Sequence, residues 1–157
     1  MNADADVIVR TGDRDDRDFV HDLGRRSAAD SISAVRTAKL EDVALAFDKL
    51  IDFVYGRQHV ALIAEEDGER LGFLLLLFDI PDEVTLTEQA FVAYTAVEPH
   101  ARGRGVGRAL MDEAEGFARA MGRAYVSLMV TEENAAALAL YDRAGFVTER
   151  RMMTKAL

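Results

Sequence analysis

"VEPHARGRGVGRAL", Val97 to Leu110, decides how the chain is read. Three glycines and three arginines fall between Arg102 and Arg108. The apolar run "QAFVAYTAV" (Gln89 to Val97) leads into it and is rich in the β-branched and aromatic residues that favour strands. Beyond it, Val106, Leu110, Ala114, Phe117 and Met121 mark one helix face, which Gly122 closes. The stretch is therefore a glycine-rich turn from a strand into a helix. The first N–H groups of a helix lack intrahelical partners and carry partial positive charge. Glycines permit φ > 0 and close backbone approach. Arginines add forked donors suited to phosphate oxygens. Such a turn is an anion site, most naturally for phosphate or pyrophosphate. The plainer alternative is a glycine turn whose arginines merely face water.

Upstream, "VIVRTG" (Val7 to Gly12) alternates like a strand. "DRDDRDFVHDLGRRSAADSI" reads as a helix with acidic residues in its first turn, where the dipole favours them. In "LEDVALAFDKLIDFVYG", Leu40, Val43, Ala44, Phe47, Leu50, Ile51 and Val54 recur at helical spacing, and Gly56 ends the run. "HVALIAEE" and "RLGFLLLLFD" flank an Asp-Gly hairpin signal, and the second is apolar on both faces, as a central strand is. "IPDEVTLTE" is a loop. Downstream, "RAYVSLMV" reads as a strand and "NAAALALYDRAG" as a helix with Asn134 as N-cap and Gly145 at its end. "FVTERRMMTKAL" reads as a final strand with its arginines outward. The order predicts a mixed α/β protein with antiparallel pairing first and strand–helix–strand crossovers later.

The chain has 157 residues, half of them hydrophobic and 30% charged, which predicts one domain over residues 1–157. There is no cysteine, so disulfides and thiolate metal sites are excluded and a cytoplasmic location is expected. "MNADADVIVR" lacks the basic and apolar regions of a secretory signal. The longest apolar run, Leu71 to Phe78, is far short of the ~20 residues a membrane helix needs. Residues 1–97 hold 10 Lys/Arg against 20 Asp/Glu, a net of −10, whereas residues 98–157 hold 9 against 8. That acidic front argues against nucleic-acid binding, which wants a broad basic face. His21, His59 and His100 show no catalytic spacing, and no His/Asp/Glu cluster suggests a metal.

The turn does not fit the common nucleotide motifs. No Gly-x-x-x-x-Gly-Lys-Ser/Thr string is present, and Arg108 stands where a dinucleotide fingerprint needs its third glycine. The stretch instead resembles the acyl-CoA signature of the GNAT superfamily of N-acetyltransferases. Its Arg/Gln-x-x-Gly-x-Gly/Ala pattern falls on Arg102, Gly105 and Gly107, preceded by Val97 and Pro99. "NAAALALYDRAGF", Asn134 to Phe146, resembles the family's Asn…Tyr…Gly-Phe segment. The element order is similar over nearly the whole chain.

The resemblance implies a central, mostly antiparallel sheet of about six to seven strands flanked by about four helices. It implies N-acetyl transfer from acetyl-CoA, a cosubstrate, to a primary amine, with no metal. The backbone of Arg102, Gly103, Arg104, Gly105, Val106, Gly107 and Arg108 would bind the coenzyme A pyrophosphate. The pantetheine arm would lie in a gap beside the strand ending at Ala96 and Val97. An N–H there would polarise the thioester carbonyl. Asn134 would contact that arm and Ala137 would pass near it. Tyr141 is the general-acid candidate, since seven residues bring it to the face of Asn134. Glu88 is the nearest acidic residue for a general base, one position from the expected place, which Gln89 holds. A bulge in this strand would correct the register. The other route uses water, backbone carbonyls and Tyr94.

The acceptor side would be formed by the first two helices and the loop near Asp79. Asp13, Asp15, Asp16, Asp18, Asp22, Asp30, Glu41, Asp42, Asp79, Asp82 and Glu83 fall there. Their charge suits a cationic small molecule or peptide. A domain that binds acyl-CoA without turnover carries the same turn. The final strand offers an edge through which a homodimer would pair.

Overall fold

The alternation in "VIVRTG" produces an edge strand, β1 (Ile8–Thr11), in the computed structural model, which describes residues 6–157. The first five residues, part of the expected domain and of the stretch read for a leader, lie outside it. A one-turn 3-10 segment leads into α1 (Arg17–Ser27), and α2 (Leu40–Tyr55) follows. β2 (His59–Glu66) and β3 (Glu69–Leu77) form the hairpin, with Asp67 and Gly68 both at positive φ. β4 (Ala90–Val97), α3 (Val106–Ala120), β5 (Val126–Leu128) and α4 (Ala135–Arg143) complete the order.

The sheet runs β1-β2-β3-β4-β5, antiparallel except for the parallel pair β4–β5. β3 is central and buried on both faces. Leu74 and Leu76 join the core under α3, while Phe73, Leu75 and Leu77 join the core under α1 and α2. Tyr141 belongs to the first core, and Val20, Leu23, Phe47, Ile51 and Val54 to the second. The expected face of α2 is borne out for Phe47, Ile51 and Val54, whereas Leu40 at the first turn is exposed.

The expected final strand is not formed. Residues 147–157 carry no strand and are exposed, and the sheet described here has five strands. The reason lies in "TERRMMTK": it has no period-two apolar face to hold a register. β5 beside it is only three residues long. Arg150 reaches Asp82 instead of facing freely outward. The edge on which homodimer pairing was expected is therefore not present.

Asp16 ties β1 to β3. Its carboxylate is buried and accepts from both Nη atoms of Arg10, from Arg70 Nε and from the Asp13 N–H, all within 2.9 Å. The Arg10 fork holds the Asp16 pKa well below the usual carboxylate range, against the opposing effect of burial. A depressed folded pKa contributes stability above the unfolded value of ~3.9 and loses it as pH falls below. Asp16→Asn is expected to lower stability at pH 7 by about 2 kcal/mol, a modest value because both arginines are partly exposed. Urea unfolding should show the difference from wild type shrinking below about pH 4.

Gly24 fixes how α1 meets α2. A Cβ there would sit 1.8 Å from Phe47 Cζ. Gly24→Ala is expected to cost about 1–3 kcal/mol through overpacking. Gly116→Ala, where a Cβ meets nothing within 4 Å, should be neutral or slightly stabilising. Thermal melts of the two variants check the contrast.

Candidate functional site

β4 ends at Val97, and a short 3-10 turn at Pro99–Ala101 carries the chain to the glycine turn. Gly103 and Gly105 have φ of 74° and 84°, in the left-handed region. Gly107 serves differently: a Cβ there would lie 3.0 Å from Leu140 Cδ2, so it lets α3 approach α4. Among the described residues, the backbone N–H groups of residues 103–108 make no hydrogen bond, and no side chain caps α3. The first bond of α3 runs from the Ala109 N–H to the Gly105 carbonyl, at 3.0 Å. Six donors and the positive end of a 15-residue helix thus meet at one turn.

The arginines clamp this turn to its neighbours. Arg102 reaches Asp30 after α1, at 3.4 Å, and Arg104 pairs with Glu66 at the end of β2. Arg108 donates to Asp112 and to the Arg143 carbonyl at the end of α4.

Beside the turn, the sheet opens. β4 pairs with β5 only from Ala90 to Val92, opposite Val126 to Leu128. The rest of β4, through Val97, keeps its pairing to β3 alone. Gly72 permits β3 to press close to the β4 end, since a Cβ there would lie 2.8 Å from the Ala96 carbonyl. The β4 register shifts between the partners of Leu75 and Leu76, leaving Ala93 as a bulge. Ala93 and Tyr94 consequently both pack toward the core under α1 and α2.

The structure brings several expected site residues together and leaves one apart. Tyr141 is buried with its ring edge-on to Phe146, at 5.7 Å between centroids. Its hydroxyl has no hydrogen-bond partner among the described residues, and burial pushes its pKa above the ordinary phenol value. Asn134 caps α4 through Oδ1, which accepts from the Ala137 N–H at 3.2 Å. Glu88 stands at the outer start of β4, its side chain 75% exposed and 3.2 Å from Arg123. Gln89 turns inward and accepts from Ser127 Oγ at 2.6 Å, pinning β4 to β5 just before they part.

Two polar pairs escaped sequence reading. Gln89–Ser127 and Tyr94–Ser27 each join residues far apart in the chain, and only the tendency of buried polar groups to pair pointed to them. The acceptor side also carries less free charge than the composition suggests. Asp16, Asp22, Asp30, Asp79 and Asp82 are each paired with arginine. The segment between α1 and α2 reaches across to the loop before α4. Thr131 Oγ1 donates to the Ser31 carbonyl at 2.8 Å, and the Ala34 N–H donates to Glu133 at 3.1 Å. Among the described residues, no group of His, Asp or Glu could hold a metal, and no helix is long and apolar enough to cross a membrane.

A glycine turn at a helix start thus stands beside a strand that parts from its parallel neighbour. The Acetyltransferase (GNAT) family profile matches residues 29–146, and the chain belongs to that family. It is 38% identical over 84 residues to a mycothiol acetyltransferase of Beutenbergia cavernae, covering 54% of this chain and 27% of the relative. It is 38% identical over 80 residues to streptothricin acetyltransferase of Streptomyces lavendulae, covering 51% of this chain and 40% of the relative. The matched stretch thus spans less than half the length of either relative. An N-acetyltransferase structure from Ralstonia eutropha superposes with TM-score 0.76 at 22% identity, over 96% of this chain and 99% of that one. A ribosomal-protein-alanine N-acetyltransferase from Brucella melitensis gives 0.70 at 19% identity, over 96% and 99%. These structures share the fold.

A Cβ at Gly105 would meet nothing within 4 Å, so any cost of replacing it is conformational. Gly105→Ala is expected to cost about 1–2 kcal/mol and Gly105→Asn less, because Asn tolerates the left-handed region. Urea midpoints in the order Gly, Asn, Ala check this.

Proposed function

We propose that the protein transfers the acetyl group of acetyl-CoA to a primary amine of a small molecule. The observation that carries this reading is the set of unbonded amides at residues 103–108 beside the unpaired edge of β4. Free donors at a helix start fit a pyrophosphate, and an open strand edge fits an amide-bearing arm. Residues 103–108, with Arg102, would hold the pyrophosphate. The edge at Ala96 and Val97 would receive the pantetheine arm, near Asn134 and Ala137. Acetyl-CoA supplies an activated acyl thioester.

The chain's own residues then manage two protons. The amine, with an ordinary pKa near ~10.4, sheds one before it attacks. Water carries that proton away, and Glu88 at the solvent-facing start of β4 is the carboxylate that takes it. As the N–C bond forms and the C–S bond breaks, the nitrogen gives up its second proton to water, Tyr141 gives its hydroxyl proton to the departing sulfur, and Tyr141 is reprotonated from that solvent. Its raised pKa suits an acid that must stay protonated. An N–H at Ala96 or Val97 stabilises the carbonyl oxygen.

The relatives named for mycothiol and streptothricin favour a small-molecule acceptor over a peptide. The arginine pairing on the acceptor side leaves Asp13, Asp15, Asp18, Glu41, Asp42 and Glu83 as the acidic groups for a cationic acceptor.

An amine panel with acetyl-CoA, following free thiol, tests the reading. Thiol release with at least one amine supports it. Coenzyme A binding with no release from any amine leaves a binding domain without turnover. Tyr141→Phe is expected to lower kcat about 100-fold while calorimetry finds coenzyme A affinity unchanged. In wild type, no loss of kcat assignable to Tyr141 should occur below about pH 10.

A further inference from the structure

We propose that the cavity at the end of β1 and β2 farthest from the glycine turn binds a small carboxylate with a flat apolar body, gripped by Arg14 and Arg17. This site is separate from the one assigned to acetyl transfer.

The cavity lies where β1 gives way to α1 and where α2 returns to β2. Its volume is about 220 Å³, and its lining includes Arg14, Arg17, Tyr55 and His59 together with the buried Val20 and Val60. The glycine turn is level with the other end of β2, where Arg104 pairs with Glu66. β2 runs eight residues from His59 to Glu66, about 23 Å, which puts the length of the sheet between the two places.

Charge in the lining is sorted. Most arginines of the chain are held in ion pairs, but Arg14 and Arg17 make none among the described residues. The two carboxylates of the same lining are already engaged. Asp16 accepts from Arg10, from Arg70 and from the Asp13 N–H, while Asp13 Oδ1 accepts from the Asp15 N–H at 2.8 Å. Asp15 and Asp18 do not line the cavity. In a chain of net charge −9, two unpaired guanidiniums at one cavity favour an anion there.

The surroundings narrow the kind of anion. Arg17 Cζ stands 5.0 Å from the centre of the Tyr55 ring, so one face of its guanidinium is taken by the aromatic contact. Its N–H donors lie in the guanidinium plane and remain open to a planar carboxylate, which accepts two in parallel. Tyr55 meets His59 edge-on at 4.9 Å between centroids, and His59 Nδ1 donates to the Arg57 carbonyl at 2.9 Å. The two rings and the two valines give the ligand's body an apolar wall. Inorganic phosphate has no such body to place. The volume falls below the roughly 300–1,000 Å³ of sites for drug-sized ligands, which limits the body to about one ring.

Benzoate is the probe, since it joins a carboxylate to a single ring. Calorimetry on the wild-type protein should show one saturable site with a Kd of about 1 mM or below, both alone and in excess coenzyme A. Benzamide keeps the ring without the charge and should bind at least about tenfold more weakly. Arg14→Gln and Arg17→Gln should each raise the benzoate Kd, Arg17→Gln by about tenfold, with the coenzyme A Kd unchanged. Both side chains are exposed, so both variants fold, and thermal melts check this. Benzoate should also shift the ring proton resonances of Tyr55 and His59. No saturable binding below about 10 mM overturns the proposal. So does equal binding of benzamide or inorganic phosphate, or a benzoate Kd unchanged in either arginine variant. Benzoate binding that coenzyme A abolishes also overturns it, because the glycine turn then holds the carboxylate.

Discussion

Everything at the candidate site follows from where β4 stops pairing with β5. Parallel strands with matched lengths would bond throughout, and the backbone groups between them would satisfy each other. Here the ladder lasts three residues, because β5 is only Val126–Leu128. Gln89 and Ser127 close one end of the contact with a short hydrogen bond. Past Val92 the two strands are no longer paired, and each side is braced elsewhere. β4 is bonded to β3 along its length, and the Glu98 carboxylate just beyond it is gripped by the Arg26 fork from α1. The loop after β5 is tied to the segment after α1 through Thr131 and Glu133. Backbone groups along such an edge must find partners in water or in a ligand.

The glycine turn works with this unpaired edge through backbone and not through side-chain charge. The chain has a net charge of −9, and the arginines of the turn are each bonded to carboxylates or carbonyls. Those bonds bring α1, β2 and α4 to the turn and hold its shape. What remains to meet an anion is the fan of free N–H groups at the start of α3. Hydrogen bonds from fixed backbone dipoles in a set geometry need no reorganisation when the anion arrives.

The turn was legible from sequence because its constraints are local. Positive φ at Gly103 and Gly105, a helix beginning at Val106 and a capping Asn134 each depend on a few neighbouring residues. The same holds for α2 and the Asp67-Gly68 hairpin. Reading failed where pairing depends on distant partners. "FVTERRMMTKAL" has strand-forming residues but no face to bury, and no strand forms. The acidic count on the acceptor side suggested an open negative groove, yet Arg10 and Arg70 enclose Asp16, and Arg57, Arg102 and Arg150 meet other members. Composition counts charges and says nothing of which ones face each other.

The bulge at Ala93 shows how one extra residue sets chemistry on both sides of a strand. Without it, alternation would send Tyr94 to the face opposite Ala93 and into the α3 core, where Tyr141 already lies. With it, the two tyrosines are separated by the sheet, one with its hydroxyl free and the other bonded to Ser27. Burial raises the pKa of both, so neither works by becoming a phenolate near neutral pH. In a transfer reaction the attacking amine must lose hydrogen while the departing sulfur gains it.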